Sequence, residues 1–239
     1  MPENVLQNVR QIYANGQALG RNSHAYSRLG DSTIENPHFM ARFDEGPYVL
    51  GEYAYLQPVI DYFAGSHARQ GVAVRRGFHS WTVTDPLWAD KSQCLPNENS
   101  VQCEIRLHNP SIMLIRLGSN DSGIPAGFEQ NMRLVLDTVI QSGVIPILGT
   151  KADRFEGSNI NNDIIRRLAN EYHVPLWDFD LVAGTIPGRG LDVDNVHLTT
   201  FYAHDYTSPT AFQRGHSMHN LTALMALDAV LREVIWESE

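Results

Sequence analysis

The chain has 239 residues, 43% of them hydrophobic and 19% charged, with a formal net charge of −9. This is globular composition rather than disorder, and a chain of this length buries a substantial core without staples. No apolar run reaches the roughly 18 residues of a membrane span, and the acidic balance argues against a binder of nucleic acid or anionic membrane, which would carry a basic face.

Taken in chain order, residues 4–19 read as a first helix, with Val5, Leu6, Val9, Ile12 and Tyr13 at helical spacing. Residues 24–29 are a short strand ending at Gly30-Asp31-Ser32, and residues 53–65 look helical. Gly71–Arg75 is a second strand and Ser111–Leu117 a third, strongly apolar one. A helix over 127–142 buries Met132, Leu134, Val135, Val139 and Ile140 and leads to a fourth strand, Val144–Leu148. A helix over 158–172, a fifth strand at Val174–Trp177 and a closing helix over 218–236 complete the pattern.

Strands that are apolar throughout and alternate with helices call for a parallel sheet covered on both faces. The expectation is an α/β fold: one three-layer α/β/α domain over 1–239 with about five parallel strands. Residues 1–22 then form an N-terminal helical extension, while 83–110 and 198–216 are long loops over the site. There are no internal repeats.

Cys94 and Cys103 bracket a polar, turn-rich stretch and are the only cysteines. Their spacing is not Cys-x-x-Cys, so neither a zinc knuckle nor a thioredoxin-type site is indicated. They read best as a disulfide, which for a loop of about ten residues gains roughly 2.7 kcal/mol and implies an oxidising compartment. Two free thiols in a cytosolic protein are the alternative. Met1-Pro2-Glu3-Asn4 opens no basic-then-apolar leader. The protein is therefore expected to be extracytoplasmic with its export signal absent from this sequence, or else cytoplasmic.

Active sites of open parallel sheets lie outside the C-terminal ends of the strands. There the sequence places Gly30-Asp31-Ser32, Gly77-Phe78-His79-Ser80-Trp81-Thr82, Gly118-Ser119-Asn120-Asp121 and Asp194-Asn195-Val196-His197. Acyl transfer needs a nucleophile, a base, an orienter and oxyanion donors. Ser32 is the candidate nucleophile and His197 its base. Asp194, three residues before His197, can reach the ring Nδ1, with Asp192 as the fallback orienter. Asn120 and the backbone N–H groups of Ser32 and of a residue in the second-strand loop make a three-donor oxyanion hole. Taken singly, each of these segments reads as a turn, a helix cap or an ordinary surface residue. Their coincidence at successive strand ends is what points to a site.

Gly-Asp-Ser, Gly-x-Asn-Asp and Asp-x-x-His in this order, over about residues 24 to 236, resemble the SGNH/GDSL hydrolase superfamily. The resemblance implies a flavodoxin-like sheet, carboxylic-ester hydrolysis, and no metal or organic cofactor. It assigns the catalytic roles to Ser32, Asp194 and His197, and Asn120 to the oxyanion hole. Two departures stand out. Thr33 occupies a position where the family usually has Leu, which reads as a packing change. Ser80 occupies the position of the second Gly in the family's Gly-x-Ser-Gly-x-Thr block. Ser80 can still supply a backbone N–H, and Gly77 is the alternative donor through a shifted loop.

Other features carry less. His79 lies near the site but has no assigned role. His216 and His219 lack the accompanying ligands of a zinc site. Lys151-Ala152-Asp153 reads as a solvated loop, with a substrate contact or a structural ion pair as alternatives. Trp81, Trp88, Phe201, Tyr202, His204, Tyr206 and Phe212 belong to the two long loops and should overhang the serine, to hold an acyl chain or stack on a sugar. The reading is a serine esterase for short-acyl esters of a small molecule or glycan, such as O-acetylated carbohydrate. An acyltransferase or thioesterase with the same apparatus, and an inactive relative that binds glycans or a cell-surface partner, are the competing functions. Oligomeric state is not legible.

Overall fold

In the computed structural model, which describes residues 1–238, helix α1 (Glu3–Ala18) buries Val5, Val9, Ile12 and Tyr13 along one stripe, as their spacing requires. Strand β1 (Asn22–Gly30) runs into the single turn α2 (Ser32–Glu35), and α3 (Arg42–Glu45) follows. The helix expected over 53–65 is divided. A 3₁₀ segment, Gly51–Leu56, precedes α4 (Gln57–Tyr62), whose first turn holds Pro58. Proline has no N–H to give a preceding turn but fits a first turn, so the helix restarts there.

Helix α5 (Ser100–His108) lies inside the stretch expected to be loop. It is fixed at its start by a reciprocal cap: Asn99 accepts from the Gln102 N–H at 2.9 Å and Gln102 accepts from the Asn99 N–H at 3.2 Å. Asn109, left-handed at φ 53°, ends it. Then come β2 (Pro110–Arg116), α6 (Pro125–Gln141), β3 (Ile145–Gly149), α7 (Ile160–Glu171), β4 (Leu176–Trp177), α8 (Phe179–Ala183) and α9 (Gly215–Val230), which continues through a π turn at Leu231–Ile235.

The four strands pair in parallel in the order β1-β2-β3-β4. β2 and β3 are buried along their whole length, as a sheet covered on both faces demands. Helices α5, α6 and α7 pack side by side on the sheet, and α1 packs with the extension of α9. The expected second strand, Gly71–Arg75, is reduced to one bridge, Gly30 to Val74, on the outer side of β1. A buried carboxylate lies against this segment: Glu104 on α5 accepts the Val72 N–H at 2.8 Å and the Ser27 hydroxyl at 2.5 Å and pairs with Arg69. The Val72 N–H it takes is one donor that a longer ladder would have used.

The long connections do not form the expected canopy. Tyr206 is buried, its hydroxyl donating to the Ser217 carbonyl at 3.0 Å, and Phe201 and Phe212 pack against the core. Burial gains more from an aromatic ring than exposure at a rim does. Trp81 and Trp88 meet edge to face at 5.4 Å. A disulfide joins Cys94 to Cys103.

Candidate active site

β1 delivers Gly30 to the C-terminal edge of the sheet, where the chain turns sharply into α2. A side chain at position 30 would lie 2.5 Å from Ile34 Cγ1 and 2.9 Å from the Arg116 carbonyl, so only glycine permits the turn. Asp31 caps α2, its Oδ1 accepting the Thr33 N–H at 3.0 Å and the Thr33 hydroxyl at 2.8 Å. This cap puts Ser32 on the first position of the helix, with its side chain free of the helix and its N–H among the unpaired donors of the helix start.

A small hairpin carries the partners of Ser32. Leu191 bridges Leu198 in antiparallel fashion, and the Asp192 N–H donates to the His197 carbonyl at 2.8 Å. At its tip Asp194 Oδ1 accepts the N–H groups of Val196 (3.0 Å) and His197 (2.9 Å), while Asp194 Oδ2 lies 2.6 Å from His197 Nδ1. His197 Nε2 lies 3.0 Å from Ser32 Oγ. The bond to His197, with the two backbone N–H groups behind it, holds the Asp194 carboxyl down to about 2. An ionised carboxylate can only accept, so Nδ1 carries the proton and Nε2 is left to accept from Ser32. Asp192, the fallback orienter, turns its Oδ1 to the Val193 N–H at 2.8 Å; its link to His197 is through the backbone, and the imidazole is held by Asp194.

Asn120 stands beyond the end of β2, its amide donating one N–H to the Phe78 carbonyl at 2.9 Å. The amide has a second N–H. Ser32, Arg76, Gly77, Asn120, Asp194, Val196 and His197 line one cleft of about 490 Å³.

Ser80 is not available to this cleft. It is fully buried, its N–H faces both oxygens of Asp121 at 3.1 and 3.2 Å, and its hydroxyl donates to Asp121 Oδ1 at 2.7 Å. Burial raises the Asp121 carboxyl, with the Ser80 bonds acting against it. A backbone N–H spent on a carboxylate cannot also serve an oxyanion. Gly77 lines the cleft instead, at φ +80° with open space where a Cβ would stand. His79 stacks toward Trp81 at 6.0 Å and does not line the cleft.

Beneath Ser32 the sequence hides a charged layer. Arg116, within the apolar β2, is fully buried. Its Nη1 donates to the Thr33 hydroxyl and lies 3.5 Å from Asp31 Oδ1, and its Nη2 lies 3.6 Å from Asp153 Oδ2. Thr33 is thus a polar link rather than a packing change. Lys151 and Asp153 are fully buried as well, paired at 3.0 Å, which corrects the reading of this segment as a solvated loop. Burial pushes the Asp153 carboxyl up, but Arg116 and Lys151 outweigh it and the carboxyl lies below its ordinary range. Asp153 Oδ2 also accepts the Ser119 hydroxyl at 2.7 Å, and Asn161 on α7 donates to the Gly118 carbonyl at 2.9 Å. Neither Arg116 nor Asn161 was legible as a site residue. An arginine inside an otherwise apolar strand was the one available signal.

Next to the cleft, and sharing Arg76 with it, Glu35, Asn36, Pro37, His38, Gln70 and Tyr202 line a polar depression of about 440 Å³. Of the expected overhanging aromatics, Tyr202 alone reaches this neighbourhood, tilted against His38 at 4.1 Å. An apolar cavity between the start of α1, the end of α7 with Val174–Leu176, and the C-terminal half of α9 shares no lining residue with the serine cleft.

No protein-family model and no curated protein matches the sequence significantly. Solved structures do match in shape. A protein from Desulfitobacterium hafniense, described as lipolytic and of the G-D-S-L family, superposes with a TM-score of 0.52 at 15% identity, over 85% of this chain and 99% of its own. TesA gives 0.55 at 15% identity, over 87% and 99%. An acetyl esterase mutant with acetate ion gives 0.54 at 13% identity, over 86% and 99%. The chain shares the fold of GDSL-type lipolytic proteins. At these identities the likeness speaks for the fold, and the chemistry must be argued from the site.

Proposed function

We propose that the chain is a serine carboxylic-ester hydrolase of the SGNH type, working through an acyl-enzyme. The observation that carries this reading is the run of contacts Asp194–His197–Ser32 at 2.6 and 3.0 Å, between the turn after β1 and the hairpin that holds both Asp194 and His197. In this reading His197 Nε2 takes the Ser32 proton as Oγ attacks the ester carbonyl, and Asp194 steadies the imidazolium. The oxyanion is met by the N–H groups of Ser32 and Gly77 and the second amide hydrogen of Asn120. His197 then passes its proton to the leaving alcohol. Water, activated by the same imidazole, releases the acid and restores Ser32.

The cleft supports short acyl groups. Five of its seven lining residues (Ser32, Arg76, Asn120, Asp194 and His197) carry polar or charged groups over walls that are in part apolar, and the neighbouring depression is polar. A hydroxylated alcohol such as a sugar fits such walls better than a lipid does. The acetyl esterase and the lipolytic protein that share the fold agree with ester chemistry at this strand edge. The disulfide favours an oxidising compartment. Hydrolysis of p-nitrophenyl esters from acetate to palmitate, with Ser32→Ala alongside, tests the reading. Turnover that requires Ser32 and is highest at acetate or butyrate is expected. A palmitate optimum would overturn the acyl preference, and turnover surviving in Ser32→Ala would overturn the mechanism.

A further inference from the structure

We propose that Arg116 is a positioning residue that fixes the distance between the nucleophile turn and the oxyanion turn; this rests on the hydrolase reading of Ser32 and Asn120. The guanidinium sits between two loops that approach the cleft from different strands. On one side Nη1 reaches Thr33 and Asp31, the residue whose carboxylate caps α2 and so sets Ser32. On the other side Nη2 faces Asp153, which holds the Ser119 hydroxyl, and Ser119 immediately precedes Asn120. Backbone pairing completes the frame, because Gly30 of β1 lies in register with Arg116 itself.

Charge makes this clamp specific. Arg116, Asp31 and Asp153 have no exposed side-chain surface, so water does not screen their attraction. A planar guanidinium can face two carboxylates along different edges, whereas an ammonium is a point charge that cannot span them in the same way. Thr33 belongs to the same device, since its hydroxyl both receives from Arg116 and donates to Asp31. The departure at position 33 and the arginine buried in β2 are two halves of one feature. Arg116 does not touch the cleft and is not among its lining residues, so its effect on chemistry passes through the two turns.

The test compares Arg116→Met, Arg116→Lys and Thr33→Val with the parent chain on p-nitrophenyl acetate, counting competent sites by phosphonate titration. Because a methionine removes the buried cation beside Asp31 and leaves Asp153 with Lys151 alone, that variant can fail to fold, and the Lys and Val variants carry the test independently. Misplacement by an ångström costs about 10²-fold, so kcat per titrated site is expected to fall by about that factor in Arg116→Met, with KM little changed. Arg116→Lys should recover part of the loss, and Thr33→Val should fall between it and the parent. Amide hydrogen exchange provides a readout that needs no catalysis. Selective loss of protection at residue 33 and Ser80, whose N–H groups are held by Asp31 and Asp121 of the two turns, relative to Ile112–Ile115 in β2, is expected in all three variants. Unchanged kcat per titrated site, or protection lost evenly through the sheet, would overturn the proposal by reducing Arg116 to a general stabiliser. A parent chain with no Ser32-dependent turnover would instead sink the hydrolase reading, and the exchange pattern would still decide whether Arg116 clamps the two turns.

Discussion

Ser32→Ala and His197→Ala should each lower kcat on p-nitrophenyl acetate by roughly 10⁴–10⁶-fold, and the double variant should lose little more. The reason lies in the geometry of a unit. Ser32 Oγ is a poor nucleophile until its proton has somewhere to go, and the 3.0 Å contact with His197 Nε2 supplies that path. Without the serine, the base has nothing to activate; without the base, the hydroxyl stays protonated. Both side chains are on the surface edge of the sheet, His197 half exposed, so neither truncation opens a core cavity and both variants should keep the parent's thermal midpoint. Circular dichroism and steady-state kinetics on the same preparations check this. A variant that retains most of its activity would remove the mechanism, and additive losses in the double variant would mean that the two residues do not act together.

Asn120→Ala should cost roughly 10²–10³ in kcat, about 2.7–4 kcal/mol of transition-state stabilisation, with a smaller change in KM. One hydrogen of its amide is held by the Phe78 carbonyl at 2.9 Å and the residue lines the cleft with Ser32 and Gly77, so in the proposed mechanism the other hydrogen meets the oxyanion. Ser80→Ala provides the contrast. Removing its hydroxyl strips Asp121 of a buried partner at 2.7 Å, which should cost about 1–3 kcal/mol of stability, while kcat stays within a few-fold of the parent. The two variants separate the oxyanion donor of the proposed mechanism from the residue that braces the loop. Chemical denaturation measures one effect and initial rates the other. If Ser80→Ala lost activity as Asn120→Ala does, the reading of the Ser80 hydroxyl as a brace outside the chemistry would be wrong.

Much of the fold was readable because apolar runs such as Met113–Ile115 and Ile145–Leu148 are unmistakable core strands, and the amphipathic stripes of α1, α6 and α7 sit between them. The residues at the strand ends were readable for the same reason, since once the strands were placed the topology dictated which turns share an edge. What escaped was set by side chains acting at long range. Nothing local in Gly71–Arg75 announces that Glu104, some thirty residues on, takes the Val72 N–H. The cap Asn99-Ser-Val-Gln102 was a legible start signal for α5, but it was masked by the surrounding polar, turn-rich stretch. Ser80 looked like a substitute for glycine at the oxyanion hole because sequence gives its position but not the carboxylate of Asp121 that claims its N–H. The aromatics of 201–212 were assigned to the rim from loop length, and the structure spends Phe201, Tyr206 and Phe212 on the core while Tyr202 stays beside the cleft.

The central claim is that Ser32 is the nucleophile activated by His197. A fluorophosphonate probe reports on that state of the serine directly, without any guess about the natural ester. Incubation of the folded chain with the probe, followed by intact mass and peptide mapping, should show one adduct per chain, located on Ser32, and labelling should be slowed by orders of magnitude in His197→Ala. Absence of the adduct from a folded parent chain, or its appearance on another serine, would contradict the account.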